Sequence, residues 1–410
     1  MQLSFGSVTP PAFGAPLEIL FVSHCPPWPL DNGTAQRVFH LLSGLARQHR
    51  VTLLTLSAAK DAEVGSRSPA REFLDRVIEI DFTTCRWGPG TQTERFRRLL
   101  LTPFPSLVHS WRSPALLREL AGLRRSKRFD HVWVERWFIA EMVREAGFQQ
   151  LVVDLDDLQS TVKRRELHFM RPRPSLPLHW IEHAKITRYE RGLPSRFHRL
   201  VVCKEEDRRF FGGAASRVFV VPNGTERHEP AAPALEQPGE LLFVGQLDYG
   251  PNIDAVRFLR VEILPRVRAA VPDARLVVVG RAPVAAVRAL DDGDTCRVVG
   301  PVPDLAPWYG SASVVVVPIR MGSGTRLKVL EALSWGKAVV ATRVGAEGLD
   351  LRPGLDLELA DTPDAFAAAC SRLLQDPAAR ARLGEEGRAR ALARYDWNMV
   401  EEAADRALTA

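Results

Sequence analysis

The stretch from Val314 to Leu349, VVVVPIRMGSGTRLKVLEALSWGKAVVATRVGAEGL, passes through a strand, a glycine-rich turn, a helix and a second strand. Val314 to Val317 suit a strand buried on both faces, as parallel strands are, and Pro318 stops it at the edge where open α/β sheets bind ligands. Gly322, Ser323 and Gly324 permit a tight turn, and a helix is expected to begin near Thr325. The start of such a helix points unpaired N–H groups and the positive end of its dipole above the sheet, which suits a diphosphate. Arg326 and Lys328 add full positive charge, and Arg320 lies just before the turn. Leu327, Leu330, Ala332 and Leu333 supply the apolar stripe, so Glu331 sits one and a half turns in, where its carboxylate can accept hydrogen bonds from a ribose diol. A solvated helix face with a Lys328–Glu331 salt bridge is the competing reading, and it leaves the adjoining glycines without a purpose.

Beyond this unit, strand Ala338 to Thr342 runs into Gly345-Ala346-Glu347-Gly348, a second small-residue loop at the same sheet edge. Upstream, Gly245-Gln246-Leu-Asp-Tyr-Gly-Pro-Asn252 is another strand-to-helix turn and a candidate phosphate neighbour that carries no cation, so Arg320, Arg326 and Lys328 must supply most of the neutralising charge. The loop Gly300-Pro-Val302-Pro-Asp304-Leu305 presents backbone groups that can read a flat base; an ordinary loop with Asp304 as helix cap is the alternative.

At 410 residues the chain suits two domains of about 200 residues each. With 46% hydrophobic residues, each can bury a large core. No stretch reaches the apolar length of a membrane span, and the first residues lack a basic start and a long apolar segment, so a cytoplasmic protein is expected. Cys25, Cys85, Cys203, Cys296 and Cys370 stand singly without CxxC spacing, which suggests no metal site and no disulfide framework.

The net charge of +6 is uneven: residues 1–200 hold 29 Lys and Arg against 20 Asp and Glu, the remainder 26 against 29. Arg95, Arg97, Arg98, Arg124, Arg125, Lys127 and Arg128 interleave with apolar residues, a mix that allows peripheral contact with an anionic membrane face or an anionic acceptor, and equally a plain solvated surface. No nucleic-acid-binding motif accompanies them.

Strand-like runs at 18–22, 51–56, 131–134, 151–155, 199–203 and 218–221 alternate with helical segments in the first half, and the rhythm repeats from residue 241. Arg227 to Gly239, rich in proline, reads as a linker. The expected architecture is α/β, two doubly wound Rossmann-like domains facing each other across a cleft: a first domain 1–226, linker 227–239, a second domain 240–392, and a C-terminal helix 393–410 packing back on the first domain. In the first half, Asp31-Asn32-Gly33 forms a turn that opens a helix at a sheet edge. Strand alternation would point Asp154 and Asp156 to one side, where paired carboxylates can hold an acceptor hydroxyl or stabilise a positive centre, while Asp157 or Ser160 can cap the next helix.

Pro222-Asn-Gly224, Phe243-Val-Gly245, Gly300-x-Val302-x-Asp304-Leu305, Tyr309 and GSGTRLKVLEAL, in this order and spacing, resemble the retaining glycosyltransferases of family 4, which have the GT-B fold. The opening loop PPWPLDNGTAQR and the segment FVGQLDYGPNIDAVRF resemble the branch of sugar transferases linked to exopolysaccharide gene clusters. The resemblance implies transfer of a sugar from a nucleoside-diphosphate sugar, used as donor substrate, to a hydroxyl of a carbohydrate, lipid-linked or small-molecule acceptor. Anomeric configuration is retained, and neither cofactor nor metal is required.

Carried over by position, Glu331 matches the second glutamate of the family's E-x7-E motif and would hold the ribose. Arg326 and Lys328 would clamp the diphosphate, Val302 would meet the base through its backbone, and Gly33 would face the donor phosphate. Three positions depart from the pattern. Ser323 replaces the first glutamate of the motif, Gln246 and Asn252 stand where many relatives have an arginine and a lysine, and Asp156 stands where many have a histidine. A nucleotide-sugar-binding partner subunit or a sugar-nucleotide epimerase remain the alternative classes.

Overall fold

The computed structural model describes residues 15–30, 32–57, 68–81, 97, 100–170, 172, 174–230, 236–322 and 326–410. Among them, short apolar runs form strands β1 (Glu18–Ser23), β2 (Arg50–Ser57), β3 (Arg76–Asp81), β4 (His131–Glu135), β5 (Leu151–Asp154), β6 (Arg199–Val202) and β7 (Val218–Val220). These are followed by β8 (Glu240–Val244), β9 (Arg275–Val279), β10 (Cys296–Gly300), β11 (Val314–Val317), β12 (Ala338–Ala341) and β13 (Glu358–Leu359). The first sheet runs β3-β2-β1-β4-β5-β6-β7 and the second β10-β9-β8-β11-β12-β13. Their pairings are parallel, with Val22 opposite Val134 in the first and Val315 opposite both Leu242 and Val339 in the second. Strands covered on both faces read as unbroken apolar runs rather than alternating ones, which is why β1 and β11 stand out in the sequence.

Strand order reverses between β1 and β4 in one sheet and between β8 and β11 in the other. At such a switch point adjacent connections leave in opposite directions and open a crevice beyond the carboxyl ends of the strands.

Two strands escape the sequence reading. β3, RVIEID, is a half-buried edge strand whose alternation is interrupted by charge, and β13 has only two residues. The helix read as 255–271 instead starts at Gly250, with Pro251 in its first turn, and carries a π-helical segment at Leu259–Ile263 before continuing as Leu264–Ala270. Pro265 accounts for the widened turn, since it has no N–H to donate into the regular ladder.

The chain forms two compact units, one of Met1–Leu155, Gly192–Val201 and Glu401–Ala410, the other of Asp156–Arg191 and Val202–Val400. In the first, Ile19 to Val22, Leu41, Leu42 and Trp133 are fully buried, and Phe21 stacks on Trp133 with ring centres 6.1 Å apart. Its C-terminal segment is fastened by His49 Nε2 to Asp405 Oδ1 at 2.8 Å and by Arg199 Nη1 donating to the Ala407 carbonyl at 3.2 Å. In the second unit one core gathers Phe243, Val256, Ile263, Val278, Val316, Leu330, Val340 and Phe366 around the six-stranded sheet. The Glu236 end of the proline-rich segment is tied to this unit by Lys337 at 3.0 Å and Arg380 at 2.8 Å.

Candidate functional site

At the switch point of the second sheet, β8 delivers Gly245 and β11 delivers Arg320 and Gly322. Two side chains crowd Gly245: a Cβ there would lie 2.8 Å from Lys328 Nζ and 2.9 Å from Asn252 Nδ2, so any larger residue would require one of them to shift. Asn252 donates from Nδ2 to the Gln246 carbonyl at 2.8 Å and accepts at Oδ1 from Lys328 Nζ, also at 2.8 Å. The Gln246 side chain turns away to accept from Arg281 Nη2 at 3.0 Å, leaving its backbone in the site.

The helix after the glycine turn is Leu327–Ser334, with Arg326 rather than Thr325 at its boundary. The start therefore lies two residues later than the sequence suggests, and Arg326 precedes the helix with a non-helical backbone, φ −84 and ψ 86, instead of standing on the helix face. Its Nε donates to the Val344 carbonyl at 3.3 Å and its Nη2 to the Met321 carbonyl at 3.4 Å. Gly322 adopts φ +97, a conformation that side-chain-bearing residues rarely take. Ser323, Gly324 and Thr325 lie outside the described residues.

Lys328 lies 4.4 Å from the centre of the Phe243 ring, and burial, then the neighbouring Arg326 charge, push its pKa down to about 7. Burial pushes the Glu331 carboxyl up to about 7, restrained by the Tyr309 hydroxyl and Lys328. Arg326, Lys328 and Glu331 each keep a partial opening to solvent. Burial also lowers the Arg326 pKa, and Arg165 lowers it further against the pull of Asp157, Tyr249 and Glu347. Buried cations beside further positive charge gain from an anion placed among them, and the two negative charges of a diphosphate would supply it.

A third arginine, not singled out from sequence, completes the group. Arg165, on helix Gln159–Phe169, donates to the Gly322 carbonyl and forms a two-pronged pair with Glu347, Nη2 to Oε1 at 2.8 Å. Lys204 Nζ reaches the same Glu347 oxygen at 3.0 Å. Against burial, which alone would raise it, Arg165 and Lys204 hold the Glu347 carboxyl down to about 2. The glycines around Glu347 marked this loop in the sequence, whereas nothing in the spacing of Arg165 pointed to it.

Arg320 pairs with Asp254 through two hydrogen bonds, 3.0 and 2.7 Å, and lies 4.1 Å over the Phe258 ring, so its charge is already matched. Val302 is half-buried in the loop after β10. Asp304 Oδ1 accepts from Ala306 N at 2.9 Å at the start of the next helix.

The paired-carboxylate reading of Asp154 and Asp156 does not hold, because β5 ends at Asp154 and Asp156 takes φ 55. Asp154 is instead fully buried against Arg37, 2.9 Å from its Nε, and Asp156 Oδ1 accepts from Cys203 Sγ at 3.2 Å. The N-cap position of the helix beyond is Leu158, not Asp157 or Ser160. The Glu190 carboxylate, from helix Leu176–Arg191, accepts from the backbone N of Gln159 at 2.7 Å and of Ser160 at 3.1 Å.

In the first unit Gly33 opens helix Gly33–Ala46, and Asn32 Oδ1 caps it by accepting from Ala35 N at 2.9 Å. Asp31 lies outside the described residues, as do Cys85, Arg95 and Arg98. Arg124 and Arg125 are exposed on helix Pro114–Ser126. Among the described residues no helix is long and apolar enough to cross a membrane.

Residues 238–376 match the family model described as glycosyl transferases group 1. The D-inositol 3-phosphate glycosyltransferase of Thermobispora bispora is 37% identical over 100 residues, which are 24% of this chain and 23% of that protein. The chain thus spans about a quarter of the length of this curated relative. Sucrose-phosphate synthase from Thermosynechococcus elongatus superposes with TM-score 0.67 at 19% identity, covering 95% of this chain and 98% of that one. The Anabaena protein HepE, in complex with UDP and glucose, gives TM-score 0.67 at 14% identity over 96% and 99% of the two chains. The fold is GT-B.

Proposed function

We propose that this chain is a glycosyltransferase that moves a sugar from a nucleoside diphosphate to an acceptor hydroxyl with retention of anomeric configuration, in polysaccharide or glycoconjugate synthesis. The observation that carries the reading is the grouping of Arg326, Lys328 and Glu331 beyond the carboxyl ends of β8 and β11, where burial and then the Arg326 charge lower the proton affinity of Lys328. The match of residues 238–376 to group 1 glycosyl transferases and the UDP complex of HepE support a nucleotide-sugar donor.

On this reading Arg326 and Lys328 oppose the charge that develops on the departing diphosphate, the work a divalent metal does in other transferases. Glu331 accepts from the ribose hydroxyls, the Val302 backbone meets the base, and Gly245 and Gly322 let the chain approach the phosphates. The bond from the anomeric carbon to the diphosphate oxygen breaks as the acceptor oxygen bonds to the same carbon on the same face. The acceptor proton passes to the departing phosphate oxygen.

Incubation with a panel of labelled nucleotide sugars tests this directly. Release of sugar and nucleoside diphosphate without acceptor, and a product anomer matching the donor by NMR coupling constants, are expected. Tight nucleotide binding without turnover would leave a binding subunit, and a changed sugar still attached to nucleotide would indicate an epimerase.

A further inference from the structure

Next to the donor-type loop, within the same unit, lies an open pocket of about 490 Å³ lined by Arg164, Arg165, His168, Trp180, Arg320 and Val344. This volume falls within the range of small-ligand sites. It adjoins the loop through shared residues, since Arg165 donates to the Gly322 carbonyl and the Val344 carbonyl accepts from Arg326.

The lining is basic without an acidic member. Arg165 and Arg320 are neutralised from behind by Glu347 and Asp254. Arg164 is exposed and, among the described residues, makes no ion pair or side-chain hydrogen bond. Its uncompensated charge is felt nearby, where burial and then Arg164 and Lys163 push the His183 pKa down. Trp180, 49% exposed, is the aromatic member of the same lining. A flat apolar ring suits the C–H face of a sugar, and a planar guanidinium suits a phosphate or carboxylate in two-point contact.

We propose that this pocket binds a saccharide bearing an anionic substituent, with Arg164 receiving the anion and Trp180 the sugar ring. If the transferase reading above holds, this ligand is the acceptor. The class is thereby narrowed from any hydroxyl compound to an anionic sugar.

The test is titration calorimetry on the full chain with glucose, glucose 6-phosphate and glucuronate, each with and without a saturating concentration of the nucleoside diphosphate that binds best. One or both anionic sugars should bind at least tenfold tighter than glucose, and the tighter of the two identifies the substituent. Arg164→Ala should reduce the anionic advantage by about fivefold to tenfold, and Arg164→Glu should abolish it. Trp180→Ala should weaken all three sugars.

Equal affinity for glucose and both anionic sugars, or an advantage that survives Arg164→Glu, would overturn the proposal. So would competition between the anionic sugar and the nucleoside diphosphate, which would assign the preference to the donor site. Failure of the donor reading is seen separately, as no binding by any nucleoside diphosphate.

Discussion

Lys328 and Asn252 are joined by a hydrogen bond of 2.8 Å from Nζ to Oδ1, and the same asparagine anchors itself to the Gln246 carbonyl. The neutral amide positions the ammonium without cancelling its charge, which a carboxylate at residue 252 would do. The position where many similar transferases carry a second cation is here used to aim the one on the helix.

Removing either cation should slow turnover. Lys328→Ala and Arg326→Ala are each expected to cost about 2–4 kcal/mol of transition-state stabilisation, read as kcat/KM for donor cleavage. Unchanged kcat/KM in both variants would exclude them from the diphosphate site.

Nucleoside diphosphate affinity should fall as pH rises above about 7. The anion favours protonated Lys328, whose pKa in the free protein is about 7, so binding takes up a proton. Between pH 7.5 and 9 the loss should approach about tenfold per pH unit, and Lys328→Arg should flatten it. An identical slope in the variant would assign the proton to another group. The effect on folding has the opposite sign: the unfolded chain keeps the Lys328 proton up to its ordinary value of 10.5, so the penalty of burying this lysine is relieved as pH rises from 7.

Glu347→Gln should destabilise the second unit by about 1–3 kcal/mol at pH 7, since it leaves Arg165 and Lys204 without their shared carboxylate. The Glu347 pKa is depressed to about 2 from 4.5. Its contribution is therefore full above the unfolded value and is lost as pH falls through the folded one. Urea unfolding at pH 7 and pH 3 should show a gap between wild type and variant that narrows at the lower pH; a constant gap would mean that charge is not involved.

Arg37→Met should destabilise the first unit by about 3–5 kcal/mol, because Asp154 would remain buried without its cation. The double variant Arg37→Met, Asp154→Leu should recover most of the loss. If the double variant is no more stable than the single one, the pair contributes through packing and not through charge compensation.

Much of the fold was legible because parallel strands covered on both faces are marked by unbroken apolar runs such as Val314 to Val317, and glycine turns at their carboxyl ends mark the edge of the sheet. Arg326, Lys328 and Glu331 could be placed near one another because a single helix and its approach carry all three. Where backbone conformation departs from the regular period the reading failed: Asp156, at φ 55, no longer follows strand alternation, and the helix starts at Leu327, after a turn whose length is not fixed by composition.

Partner choice among charged side chains was decided by the tertiary structure alone. Arg320 looked as suitable as Arg326, yet Asp254 claims it; Arg165 carried no signal, yet it meets Glu347 from 182 residues away. Local sequence records hydrophobic period and turn geometry because these act between neighbours along the chain. An ion pair depends on which distant carboxylate the folded backbone brings within reach, and that distance exists only once the sheets have formed.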